Sequence, residues 1–229
     1  MRSQKYLLHL ALVIAFVFFF SQTQLSFAQL PGMPKLYGEF KMPEVGAYVT
    51  YKVRYASNNS ERITKLSVVG KEKSSQGEDL YWFEQQETDP KTGQVTIAKM
   101  LISGSPQDIK TMQRMIIKSG QDPASELPQA MIQMINKAPS EKKDALPPKM
   151  KSLGLEKMKI KDQTMECTHM RYTTKDKGTA DVWTNVKVPL FGMVKSATPE
   201  ATLEVVEYGT NAVTAIKEKP QLLEIPEQK

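Results

Sequence analysis

Around Val49 to Tyr55 apolar and polar residues alternate without a break: Val49, Tyr51, Val53 and Tyr55 fall on one side, Thr50, Lys52 and Arg54 on the other. Successive side chains of a strand point to opposite faces, so this pattern calls for a half-buried antiparallel strand. Ser57-Asn58-Asn59-Ser60 is a turn sequence that sends the chain back. Further strands are expected at 63–69, 80–86 and 95–103, separated by Ser74-Ser75-Gln76-Gly77 and Asp89-Pro90-Lys91-Thr92-Gly93. Short turns between such segments make a meander running from about Lys35 to Gly104.

The period then changes. Ser105 can cap a helix with Pro106 at its first position, and Ile109, Met112 and Ile116 recur at three- and four-residue spacing until Gly120. A second helix is expected from Ser125, with Leu127, Ala130, Met131, Met134, Ile135 and Ala138 on one stripe. The segment 139–148, rich in Lys, Pro and acidic residues, reads as a surface loop or link.

Strands resume beyond it. A hairpin is expected at 158–161 and 164–172 around Asp162-Gln163, then strands at 179–184, 192–195, 203–208 and 213–216, with a frayed tail from Lys217. Pro189 and Gly192 make 188–192 a corner with Trp183 and Phe191 packed beside it. The predicted class is α+β, mainly antiparallel β, with one sheet closed or strongly curved around a helical insertion spanning 105–153.

The first 28 positions read as a secretory signal. Arg2 and Lys5 form a positive start, an unbroken apolar run extends from Leu10 to Phe20, and Ser26-Phe27-Ala28 places small residues before a cleavage point at Gln29. The run is about half the ~20 residues that a membrane-spanning helix needs. The exported protein is then a single domain over 29–216 with a flexible tail over 217–229, and periplasmic placement is expected. Cleavage takes two positive charges off a net charge of +6 and leaves His169 as the one histidine.

Asp181-Val182-Trp183-Thr184-Asn185, then the run from Val188-Pro189-Leu190-Phe191-Gly192 to Lys195, then Leu203-Glu204-Val205-Val206-Glu207-Tyr208-Gly209, form a pattern. It resembles the periplasmic lipoprotein carriers and outer-membrane lipoprotein receptors of the Lol system (the LolA/LolB-like superfamily), the match covering about 181–209. The resemblance implies an incomplete antiparallel β-barrel, helices plugging its open side as a plug or lid, and a hydrophobic cavity for acyl chains.

Candidate ligand-binding residues follow from composition and position. The chain has thirteen methionines, and Met112, Met115, Met131 and Met134 concentrate on the two expected helices with Ile116 and Ile135. Methionine is unbranched and polarizable, so it adapts to irregular apolar shapes. These residues would form a lid over acyl chains, or simply pack against the inner face of the sheet. Trp183 and Phe191 would line the site or serve as scaffold.

Chemistry has little material. Cys167 and His169 lie two apart on a strand, with β-carbons roughly 7 Å apart, beyond ordinary hydrogen-bond reach. One cysteine and so few histidines leave no disulfide framework and no zinc site. No nucleophile elbow, metalloprotease helix, phosphate loop or dinucleotide fingerprint is present. No catalytic residue, metal or cofactor is assigned, and an enzyme is not expected. Lysines at 142, 143, 149, 151, 157, 159 and 161 make a basic region whose candidate partner in an exported protein is an anionic membrane surface, not nucleic acid. The expected function is a carrier for a lipid, acyl chain or lipoprotein; an envelope scaffold with a filled core is the alternative.

Overall fold

The computed structural model describes residues 44–105, 108–137, 149–174 and 178–224. The expected signal segment at 1–28, the link at 139–148, Pro106, Ala138 and the last five residues lie outside the described residues.

Five strands run in meander order: β1 (Tyr48–Tyr55), β2 (Glu61–Lys73), β3 (Asp79–Thr88), β4 (Val95–Ser105) and β5 (Asp108–Ser119). The short β6 (Ser125–Glu126) and helix α1 (Gln129–Lys137) follow. A second run comprises β7 (Lys149–Ile160), β8 (Gln163–Thr174), β9 (Gly178–Thr184), β10 (Met193–Ala197) and β11 (Ala201–Gly209), and β12 (Gln221–Leu222) ends it. All belong to one sheet of twelve strands ordered β12-β6-β5-β4-β3-β2-β1-β11-β10-β9-β8-β7. The two meanders are wings joined where β1 pairs antiparallel with β11. The sheet is open, with β12 at one end and β7 at the other.

The wings share one apolar core. Val49, Tyr51, Leu66, Phe83, Met100 and Met112 of the first wing cluster with Val182, Met193, Leu203 and Val205 of the second, so the sheet curls until its inner faces meet. Register slips on several ladders favour this curling: Val69, Leu153, Val194 and Val206 each lack a partner on one neighbouring strand. An extra residue bends its strand and raises the local twist. The buried Tyr51 hydroxyl donates to the Met193 carbonyl at 3.1 Å, tying the wings inside the core.

The largest correction concerns 105–120. The expected helix is strand β5, and the spacing that suggested it has another cause. β4 pairs Leu101 with Arg114 and Ile102 with Met112, leaving Gln113 as a bulge. One inserted residue lets Met112 and Met115, three apart, both point inward. A bulged strand therefore imitates a helical turn over four residues. The helical insertion shrinks accordingly to α1, and β7 already begins at Lys149, within the range expected to be helical.

Three smaller differences follow. The hairpin turn lies at Lys161-Asp162, one residue earlier than expected, with Lys161 at φ 50°. The segment 213–216 is no strand; it lies over the outer face of the first wing, where Ile216 is buried with Leu80, Trp82, Ile97, Leu101 and Ile116. Beyond Lys217 the chain is docked rather than frayed as far as β12, which pairs parallel with β6, while Lys118 bonds to Glu218. Gly46, at φ +98°, makes the start of this path possible, since a β-carbon there would stand 2.4 Å from the Thr210 carbonyl oxygen. Only glycine fits so close an approach at that backbone angle.

Candidate functional site

The inner face of β4 and β5 carries Met100, Met112, Met115 and Ile117, all buried in the main core. Helix α1 starts one residue after Pro128, and its Ile132 is 2% exposed in the same core. Met131 and Ile135 flank it, half-buried against that cluster. Asn136 fastens the helix to the sheet: its amide accepts from the Met112 N–H at 2.9 Å and donates to the Met112 carbonyl at 2.8 Å. This bidentate pair occupies both polar groups of one backbone residue beside the Gln113 bulge, where the ladder is interrupted.

Of the eight residues expected to line a site, the structure gathers six around one core. Met112, Met115 and Phe191 are buried in it, and Met131, Ile135 and Trp183 pack against it. Ile116 and Met134 do not join them. Ile116 faces the opposite side of the sheet, in the cluster around Trp82. Met134 projects outward from α1 at 72% exposure. Ile116 is turned away because the helix expected at 105–120 is a bulged strand, and Met134 because α1 faces the sheet with Ile132, flanked by Met131 and Ile135.

The structure adds residues on the second wing. Register places Met150 with Tyr172 and Ala180, and Ser152 with Met170 and Val182. Leu155 aligns with Thr168, which is on the same side of β8 as Met170 and Tyr172. Val182 is fully buried and Met170 half-buried, whereas Met150 and Leu155 are 55% and 67% exposed. Apolar residues of this face thus extend from the closed core to an uncovered margin on the last strand, with the exposed Ser152 and Thr168 among them. The bulge at Leu153 hid this margin, because it breaks the alternation of Lys149, Met150 and Lys151 before Leu155.

The opposite face of the same wing is divided: at the hairpin end Met158, Ile160, Met165 and Cys167 join the main core, and beside them lies a polar, ordered cluster. His169 stacks on Trp183 with ring centroids 4.1 Å apart, and the Trp183 indole N–H donates to Glu156 at 2.7 Å. The imidazole lies between Glu156 and Asp181, with Nδ1 and Nε2 each 3.3 Å from a carboxylate oxygen. Arg171 grips Asp181 with two hydrogen bonds and, with burial opposing, holds its carboxyl below the usual carboxylate range. Lys195 lies over the Trp183 ring and bridges to Glu204 at 2.7 Å. Cys167 is buried, and burial, then Glu156, pushes its thiol above the ordinary value, away from the thiolate that nucleophilic or metal chemistry uses.

A matching arrangement holds the C-terminal segment on the first wing. The Glu84 carboxylate, buried on β3, accepts from the Thr214 hydroxyl at 2.7 Å and the Ala215 N–H at 3.0 Å. Trp82 packs over Gly70, donates to Glu72 at 2.6 Å and carries Lys99 and Arg114 over its ring. Among the described residues no group of three or more His, Cys, Asp or Glu could hold a metal ion, and no helix is long and apolar enough to cross a membrane.

No family model and no curated protein sequence matches the chain. Among solved structures the chain is similar to MucB, at 10% identity and a TM-score of 0.33, over 74% of this chain and 55% of that one. The chain therefore spans little more than half of MucB. It is also similar to a candidate lipoprotein from Parabacteroides distasonis, at 11% identity and a TM-score of 0.36, over 73% of this chain and 97% of that one. Both superpositions are loose, and the functional reading rests on the chain's own geometry.

Proposed function

We propose that the chain is an exported, non-enzymatic binding or carrier protein for a lipid, an acyl chain or the acyl anchor of a lipoprotein. The ligand lies along the inner face of the curled sheet, enters over Met150 and Leu155, and is covered by α1. The supporting observation is the set of apolar residues on one face, from the buried Val182 through the half-buried Met170 to the exposed Met150 and Leu155, with Ser152 and Thr168 between them. Each buried methylene of an acyl chain contributes about 0.8 kcal/mol, so a chain needs continuous apolar surface more than any single contact. Met112, Met115 and Met131 suit that task because their side chains change shape at little cost.

Two measurements test this reading. Protein recovered from the envelope is extracted with organic solvent and the extract analysed by mass spectrometry, and a fluorescent fatty acid is titrated against the purified chain. Bound lipid is expected, together with saturable probe binding that weakens several-fold in Met150→Glu/Leu155→Glu. Absence of both lipid and probe binding would sink the carrier reading.

A scaffold with a filled core is the second reading. It is favoured by the complete burial of Val49, Tyr51, Met100 and Leu203, whose side chains fill the core between the wings. The same titration separates the two.

A further inference from the structure

We propose that strand β7 docks edge-on against an anionic lipid bilayer. The inference deepens the carrier reading and rests on it, since it places the exchange of acyl cargo at the margin where the inner face is uncovered. β7 is the last strand of the sheet, so one of its edges has no strand neighbour among the described residues. Every residue from Lys149 to Lys157 is exposed, including Met150, Leu153 and Leu155.

The charge is one-sided. Between positions 149 and 161 there are five lysines and one glutamate. Glu156 is engaged by the Trp183 indole and by His169, and Lys161 reaches Glu207 at 3.5 Å. Among the described residues Lys149, Lys151, Lys157 and Lys159 have no ion-pair partner. Register places Lys149 and Lys151 on the side of Arg171, and Lys157 and Lys159 on the side of Glu166 and Thr164, so lysines flank the edge on both faces.

This combination fits a lipid surface better than a second copy of the chain. Edge-to-edge pairing of two β7 strands would bring unpaired lysines against lysines, which like charges oppose. A bilayer answers both components: lysine stems lie along apolar surface with their ammonium groups at the phosphates, and apolar residues enter the acyl boundary. The free backbone groups of the edge stay at headgroup level, where water and phosphate satisfy them. The bulge at Leu153, with Gly154 at φ +96°, re-aims a leucine at the centre of this strand.

Co-sedimentation with vesicles tests the proposal, using protein as recovered after export so that all variants share one N-terminus. Vesicles of phosphatidylcholine containing phosphatidylglycerol should bind the chain at least tenfold more tightly than phosphatidylcholine alone, and high salt should release it. Replacing Lys149, Lys151, Lys157 and Lys159 with Gln should remove that preference, and Leu153→Ser should weaken binding several-fold; circular dichroism should be unchanged in both. Equal binding to the two vesicle types, or full retention by the four-Gln variant, overturns the proposal and points to an acidic protein partner for these lysines. Fatty-acid uptake measured on the same samples separates this outcome from failure of the carrier reading. Uptake without lipid-selective docking removes only the docking, and docking without uptake removes only the cargo.

Discussion

The hydroxyl of Tyr51 on β1 donates to the main-chain carbonyl of Met193 on β10, reaching past β11 through the shared core of the two wings. Burial pushes the Tyr51 phenol well above its ordinary range, so it remains a neutral donor. Tyr51→Phe keeps the ring and removes the bond. Stability to urea should fall by about 1 kcal/mol with an unchanged denaturant slope.

Glu84 holds the C-terminal segment through Thr214 and Ala215, and hydrogen bonds to a charged acceptor contribute about 1.5–3 kcal/mol. Glu84→Ala should therefore release 212–222 while the wings stay folded. Amide exchange in that segment should accelerate far more than in β1 or β11. Uniform acceleration across the sheet would count against a local clamp.

Helix α1 is attached by Asn136 and Ile132. Asn136→Ala leaves the Met112 backbone groups without their partner and should cost about 1–3 kcal/mol. Ile132→Ala should cost about 2–5 kcal/mol by opening a cavity. Met134→Glu, on the exposed side, should leave stability within about 0.5 kcal/mol. If α1 covers the ligand, Asn136→Ala should also raise the dissociation rate of a fatty-acid probe, and Met134→Glu should not.

Asp181 sets part of the acid response. Its carboxyl is depressed chiefly by Arg171, so its contribution is fully present above the unfolded value near about 4 and is lost as pH falls through the lower folded value. Asp181→Asn should lower stability at neutral pH by about 1 kcal/mol or less, since the pair is partly exposed. The difference from the parent should vanish at the acid end of a urea-midpoint profile.

The meander of β1 to β4 and the strands at 164–172, 179–184 and 203–208 were legible as sequence because turn residues flank them; β1 alternates with the period of two that backbone geometry dictates, whereas β3 and β4 bury residues on both faces. β5 was not legible. Its Met112-Gln113-Arg114-Met115 run obeys helical spacing, and only pairing with Leu101 and Ile102 turns Gln113 into a bulge. The same holds for β7, where Leu153 breaks the alternation.

For the candidate site, sequence alone identified the apolar residues and the methionine excess, and tertiary structure decided which of them meet. Met112 and Phe191 lie far apart along the chain and share a core because β1–β11 pairing folds one wing onto the other. Ile116 was lost to the opposite face and the Met150–Leu155 margin was gained, both through single-residue changes of phase. Composition and local period belong to the chain, whereas the phase of a bulged strand depends on hydrogen bonds to a neighbour, and those exist only once the sheet has formed.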